Sequence, residues 1–217
     1  MYAYPSRLAP LALSIALAFT TSVTLSGCDR IVSLSAEEYI QRAKDMQNQG
    51  DLKGSIIELK NAVQKDPNNA QARWLLGKAY IRFKLGDSAL KELEKARDLG
   101  VSESALRPYL GQALLLTRDF QRILDDIQVP AGTPAPERAQ ILQLRADALM
   151  GTGKFREACD MYKESSLLDP KLARAYIGQG LCAFSQGRPE EAEKLVRQAI
   201  QLDGRNPDNW LALAGFE

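Results

Sequence analysis

Residues 70–100 read AQARWLLGKAYIRFKLGDSALKELEKARDLG, which is the pattern of two amphipathic helices joined by a short turn. Leu76 and Tyr80 are four residues apart and share one face of the first helix, as Ala89 and Leu93 do on the second. A pair of helices this short cannot bury both apolar faces by itself. The stretch therefore predicts neighbouring copies of the same pair at a fixed period.

The pattern recurs along the chain at a spacing of 34 or 35 residues. Six units begin near Ala36, Ala70, Ser104, Ala139, Ala173 and Pro207. Small residues recur where the two helices of a unit must approach each other, and larger apolar residues follow them at helical spacing. This period and this pattern resemble the tetratricopeptide repeat. The resemblance implies an all-α fold, a superhelical solenoid of antiparallel helix pairs over residues 36–217 with an incomplete last unit.

Two irregularities interrupt the repeats. Residues 129–136, VPAGTPAP, contain three prolines and one glycine and cannot continue the helix predicted over residues 119–128. We interpret this segment as a loop within one stack, because the next unit resumes within one residue of the register; a boundary between two domains is the alternative. The sixth unit, residues 207–217, has only part of a first helix, which is the pattern of an array that continues in a longer chain.

Residues 1–27 have the pattern of a secretory signal, with Arg7, then an apolar run, then small residues. The Leu-Ser-Gly sequence ahead of Cys28 resembles the lipobox of bacterial lipoproteins, which implies that Cys28 is acylated and becomes the mature N-terminus. Residues 28–35 would then form a lipidated tether, and Asp29 favours the inner membrane slightly over the outer one. An uncleaved membrane helix, or an ordinary signal with an incidental cysteine, is the alternative.

The composition argues against nucleic-acid binding and against an enzyme. Lys and Arg together number 28 and Asp and Glu 27, so the chain has no strong field of either sign, and it contains no histidine. Neighbouring carboxylates such as Asp125 and Asp126 diverge by about 100° on a helix and cannot share a proton. The sequence predicts no catalytic residues, no metal site and no cofactor.

Two of the three cysteines, Cys159 and Cys182, fall on adjacent units. Their small and apolar surroundings favour separate thiols buried in the core. A disulfide formed after export is the alternative.

Partner binding is expected on the concave face, which is lined by first-helix residues one step from the packing stripe. The polar and aromatic candidates are Lys44, Asn48, Trp74, Lys78, Arg82, Gln112 and Asp147, with Gln47, Ile81, Leu115, Ile177, Leu181 and Phe184 beside them. The occupant implied by the resemblance is a protein or peptide partner.

Trp74 departs from the repeat pattern by one position. The pattern places a tryptophan three residues before a leucine and a small residue, as Trp210 stands before Leu213, whereas Trp74 stands two residues before Leu76. The offset turns Trp74 about 100° towards the groove, so it is a candidate binding anchor. Ordinary packing is the alternative for Trp74 and is the expected role of Trp210.

The lipobox and residues 50–101 together resemble the start of the tetratricopeptide-repeat lipoprotein of PEP-CTERM/exosortase and exopolysaccharide export systems. The resemblance implies a membrane-anchored scaffold without enzyme activity that faces the periplasm. A lipoprotein of type IV pilus or outer-membrane assembly is one alternative. The N-terminal part of a longer protein with an enzyme elsewhere is another.

Overall fold

The computed structural model describes residues 34–215, and predictions for earlier residues, including the signal, the tether and lipidation of Cys28, lie outside this range. Eleven α-helices make up the described chain. They are α1 (Ala36–Asn48), α2 (Leu52–Lys65), α3 (Ala70–Arg82), α4 (Gly86–Asp98), α5 (Glu103–Thr117), α6 (Phe120–Asp126), α7 (Ala135–Gly151), α8 (Phe155–Leu168), α9 (Ala173–Ser185), α10 (Pro189–Leu202) and α11 (Pro207–Ala214). The predicted all-α solenoid is confirmed.

Each of the first five units consists of an odd-numbered helix followed by the even-numbered helix that packs against it, and the described residues 34–215 form one compact body. The first helices also contact one another, α3 with α5, α5 with α7 and α7 with α9. The large residues between helices, such as Leu93 and Val196, are fully buried. Gly77 allows the close approach of α3 and α4, because a Cβ at this position would lie 2.6 Å from Cγ of Leu93.

The turns within the units require a residue in the left-handed region. Glycine supplies it at Gly50 and Gly187, with φ of 84° and 72°. The turns after α3 and α5 use Lys84 and Arg118 instead, with φ of 56° and 61°. The charged side chains of Lys84 and Arg118 therefore lie just after the ends of α3 and α5.

Residues 129–134 of the proline-rich segment lie in the loop between α6 and α7, residues 135 and 136 begin α7, and α6 is the short helix that the prolines predict. Arg145 of α7 donates hydrogen bonds to the carbonyl oxygens of Leu124 and Ile127, at 2.8 and 3.0 Å, and so satisfies acceptors where α6 ends. α7 begins at Ala135, about one turn ahead of the expected start of the fourth unit near Ala139. Pro136 lies in the first turn of α7, where its missing N–H breaks no helical hydrogen bond.

A disulfide bond joins Cys159 of α8 to Cys182 of α9. The expectation of separate buried thiols was therefore wrong. The two helices pack directly, which brings Cα atoms of residues 23 positions apart to within 5.8 Å. The bond fastens the fourth unit to the fifth.

No helix between residues 34 and 215 has the length and apolar character needed to cross a membrane.

Candidate functional site

A cavity of about 700 Å³ lies along the first helices of the solenoid. Its lining comes from α3 and the turn after it, from α5 and α7, and from the starts of α9 and α11 with the turns before them. It includes Ile81, Tyr109, Gln112, Leu115 and Asp147. We call this surface the groove. Four of the residues predicted for partner binding, Ile81, Gln112, Leu115 and Asp147, therefore lie together in it.

The charged groups that line the groove are paired with one another. Nζ of Lys84 lies 3.2 Å from Oδ1 of Asp208, and Nε of Arg174 lies 3.3 Å from Oδ2 of Asp147. Lys84 follows α3 and Asp208 begins α11, so the first of these ion pairs joins the second unit to the sixth. The groove is consequently close to neutral.

Asp147 lines the groove but is engaged by its own chain. Its side chain is 7% exposed and accepts hydrogen bonds from the hydroxyl of Tyr162 and the amide of Gln143, in addition to the contact with Arg174. Burial, followed by the charge of Asp147, raises the pKa of Tyr162 far above its usual range. This cluster stabilises the junction of α7, α8 and α9 and leaves Asp147 little capacity for a ligand.

Trp74 is partly buried between α3 and α5. Its ring meets Tyr109 edge to face, with centroids 6.2 Å apart and planes at 75°. The ammonium group of Lys78 lies 4.3 Å from the centroid of Trp74 and 5.0 Å from that of Tyr109. Trp74 therefore packs between adjacent units beneath Lys78, which favours the packing alternative over an exposed anchor.

Trp210, on the last described helix, is 52% exposed. Its indole N–H donates to the carbonyl of Gly204 at 3.0 Å. Arg73 and Tyr176 occupy the same register and donate to the carbonyls of Pro67 and Pro170, likewise six residues earlier. The shared role of this position is to satisfy a carbonyl of the turn between units, which Arg, Tyr and Trp can all do.

The remaining predicted residues differ in their availability. Lys44, Asn48, Arg82 and Gln112 form no hydrogen bond or ion pair within residues 34–215, and Asn48, Arg82 and Gln112 are exposed. Ile177 is 4% exposed and belongs to the core between α9 and α10, so its assignment to the groove was wrong. Leu181 and Phe184 are exposed on α9.

Sequence comparison supports the repeat assignment. A tetratricopeptide-repeat profile matches residues 144–208, and a second profile, described as a TPR repeat, matches residues 48–86. These two segments match tetratricopeptide-repeat models, and the described chain has the fold of a tetratricopeptide-repeat solenoid. Proteins built from such repeats bind peptide or protein partners.

Solved structures share this fold. MamA from Desulfovibrio magneticus RS-1 is 17% identical, with a TM-score of 0.61 over 77% of this chain and 94% of that one. PilF of Pseudomonas aeruginosa is also 17% identical, with a TM-score of 0.58 over 83% of this chain and 88% of that one. At this identity, the likeness establishes the fold alone.

Among curated proteins, human DnaJ homolog subfamily C member 7 is 34% identical over 71 residues. The match covers 33% of this chain and 14% of the human protein. The similarity is therefore confined to a small number of repeats.

Sequence reasoning missed the polar network that surrounds the groove. Arg174 was not a candidate, although it contacts Asp147, and neither Lys84 nor Asp208 was singled out. No local pattern could have paired Lys84 with Asp208, because they lie 124 residues apart. Their contact depends on the accumulated rotation over four successive helix pairs, from α3 to α10.

Proposed function

We propose that the protein is a lipid-anchored scaffold that faces the periplasm and holds a segment of a protein partner in its groove. The proposal rests on the groove, which is a partly apolar cavity of about 700 Å³ along consecutive first helices. A volume of this size accommodates several residues of an extended peptide.

The lining of the groove suits a peptide chain. Gln112 and Gln140 are exposed there and have no partner among the described residues, so their amides can donate to and accept from a peptide backbone. Ile81, Tyr109 and Leu115 provide apolar contacts for its side chains. These two amides, on α5 and α7, offer contacts to a peptide backbone at two points of the groove.

The location outside the cytoplasm has two independent supports. Residues 1–27 have the pattern of an export signal that ends at Cys28. The disulfide between Cys159 and Cys182 is the kind of bond that persists in an oxidising compartment such as the bacterial periplasm. A lipid on Cys28 would hold the solenoid at a membrane, the inner one if Asp29 acts as a retention signal.

For the process served by the scaffold, we propose exopolysaccharide export and sorting of PEP-CTERM proteins, on the resemblance of the lipobox and the first two units. Type IV pilus or outer-membrane assembly is the alternative, and the fold shared with PilF is compatible with it. A further alternative is an enzymatic part elsewhere in a longer protein. The partner captured by the groove decides among these.

Capture by a variant with a filled groove tests the proposal. Three full-length proteins are used in parallel to isolate partners from detergent-solubilised membranes: the wild type, Gln112→Trp and the control Gln64→Trp. The control alters an exposed glutamine of α2. We expect the wild type and Gln64→Trp to retain the same partner and Gln112→Trp to lose it. Equal retention by all three proteins would contradict binding in the groove.

A further inference from the structure

The two cysteines of the disulfide differ in their exposure. Cys182 is 5% exposed and belongs to the buried cluster around Tyr162, which α7, α8 and α9 build together. Cys159 is only partly buried and packs against this cluster. A reagent from solvent therefore reaches the disulfide from the side of Cys159, because the three helices cover Cys182.

A surface cavity of about 460 Å³ lies beside Cys159, and we call it the disulfide cavity. The first turns of α8 and the end of α9 supply its lining, which consists of Phe155, Arg156, Cys159, Asp160, Ser185 and Gln186. Cys182 is not part of the lining, and none of the six residues lines the groove. The disulfide cavity is therefore separate from the groove and gives access to one of the two cysteines.

Arg156 supplies the disulfide cavity with a cation suited to an anionic nucleophile. It lies one turn before Cys159 on the same face of α8, is exposed, and forms no ion pair within residues 34–215. Asp160 also lines the cavity, but its side chain leaves α8 about 100° away from that of Cys159. Since a thiolate is the species that attacks a disulfide, the charge of Arg156 favours its approach to Cys159.

Phe155 adds an apolar contact to the lining of the disulfide cavity. The residue begins α8 and is 55% exposed, although phenylalanine is usually buried. A small thiol covers little of this ring, whereas the surface around the thiol of a protein can cover much of it. Phe155 and Arg156 together therefore suit a protein that presents a reactive thiol.

We propose that the disulfide cavity is a site of thiol–disulfide exchange, in which a dithiol of another protein attacks Cys159. The partner's thiolate bonds to Sγ of Cys159, the bond between Cys159 and Cys182 breaks, and its electron pair leaves on Sγ of Cys182, which takes up a proton. The partner's second thiol loses its proton and attacks the partner's own sulfur in the mixed disulfide, which releases Cys159 as a thiolate. The chain's disulfide is then reduced to two thiols and the partner's dithiol is oxidised to a disulfide.

This exchange determines whether a covalent bond joins the fourth unit to the fifth. Tyr162 is three residues beyond Cys159 on α8, and its hydroxyl donates to Asp147, which also contacts Arg174 of α9. The disulfide therefore joins helices that this polar cluster also joins. Exchange at Cys159 does not depend on a partner in the groove, so it extends the proposed function without resting on it.

Trapping the mixed disulfide tests the site of attack. Full-length protein in dodecyl maltoside is mixed with reduced thioredoxin whose second active-site cysteine is replaced by serine, so thioredoxin cannot resolve the intermediate. The reaction is quenched with acid, free thiols are alkylated in denaturant, and mass spectrometry of the peptides locates the adduct. We expect thioredoxin to be attached to Cys159 and Cys182 to be recovered as an alkylated thiol.

The rate of reduction by unmodified thioredoxin tests the contact with Phe155. Phe155→Ala should slow this reduction by about tenfold and leave reduction by dithiothreitol nearly unchanged, because the ring contacts only a protein. The control Leu167→Ala removes an exposed leucine at the other end of α8 and should leave both rates nearly unchanged. Circular dichroism shows whether each variant keeps its helices.

Charge reversal tests the role of Arg156. Arg156→Glu should slow reduction by both thioredoxin and dithiothreitol by at least about threefold, because both attack as thiolates. The control Arg205→Glu makes the same change at an exposed arginine outside the disulfide cavity and should have little effect.

Three results would overturn the proposal. Thioredoxin attached to Cys182, or attached to the chain only after unfolding in urea, would exclude attack at Cys159 in the folded protein. Equal thioredoxin rates for Phe155→Ala and the wild type would exclude a protein dithiol that docks on Phe155. Equal rates for Arg156→Glu and Arg205→Glu would exclude a role for the cation. Each of these results would leave capture of a partner by the groove unaffected.

Discussion

Lys84 and Asp208 are 124 residues apart in the sequence, yet Nζ of Lys84 lies 3.2 Å from Oδ1 of Asp208. This ion pair connects the end of α3 to the start of α11 beside the groove. The stacking of the units therefore brings the second unit into contact with the sixth beside the groove. A second ion pair, between Arg73 and Glu92, lies instead within one unit and is much less exposed.

The two ion pairs should contribute differently to stability. The side chains of Lys84 and Asp208 are 69% and 47% exposed, so Lys84→Ala should change the free energy of unfolding by less than about 1 kcal/mol. Arg73 and Glu92 are 14% and 11% exposed, so Arg73→Ala should cost about 3 kcal/mol by leaving the Glu92 carboxylate unpaired. Urea unfolding monitored by circular dichroism measures both. Equal effects of the two substitutions would contradict the difference in burial.

Loss of the disulfide should destabilise the fourth and fifth units. The bond closes a loop between residues 23 positions apart, for which chain entropy predicts about 3 kcal/mol. The double variant Cys159→Ser/Cys182→Ser should therefore unfold at lower urea, and the wild type should match it after reduction. Maleimide labelling of the denatured, unreduced protein provides the control, since neither Cys159 nor Cys182 should react. Labelling of both would show that the thiols are free.

Tyr162 should make stability sensitive to alkaline pH. Burial and the charge of Asp147 raise its pKa in the folded state, so the folded chain holds this proton more tightly than the unfolded chain. The stabilisation is fully present below the unfolded pKa of about 10 and is lost as pH rises above it. Between about pH 9 and pH 11, the free energy of unfolding should decline less in Tyr162→Phe than in the wild type. An identical decline in both proteins would exclude this role for Tyr162.

The arrangement around Trp74 shows how far the sequence could lead. The offset of one position correctly distinguishes Trp74 from the residue that caps the turn between units, a role that falls to Arg73. The offset could not reveal that Lys78 and Tyr109 cover the ring, because Tyr109 belongs to the next unit and its approach depends on the packing of α3 against α5. The spacing of residues in the sequence therefore predicts which face of a helix a side chain occupies. The packing of successive units determines which residues contact that face.

Cys159 and Cys182 illustrate the same limit. The sequence places them on neighbouring helices, but whether they bond depends on a Cα separation within about 7 Å, which register alone does not determine. The late start expected for the fourth unit has a local cause instead. The three prolines predict that residues 129–136 are all outside a helix, whereas Pro136 is compatible with the first turn of α7.

Lipidation of Cys28 can be tested in cells. Metabolic labelling with an alkyne fatty acid should mark the wild type and should fail to mark Cys28→Ala, because acylation of the lipobox requires the thiol. Cys182→Ser controls for the loss of a cysteine elsewhere and should remain labelled. Equal labelling of the wild type and Cys28→Ala would remove the lipid anchor from the proposal.

Site-specific photocrosslinking in living cells tests partner binding in the groove most directly. A benzophenone amino acid replaces Gln112 in the groove or, as the control, Gln64 on α2, both of which are exposed. We predict that irradiation joins a single protein to position 112 and that nothing is joined to position 64. The absence of a product specific to position 112, or the same products at both positions, would contradict a groove that binds a protein partner.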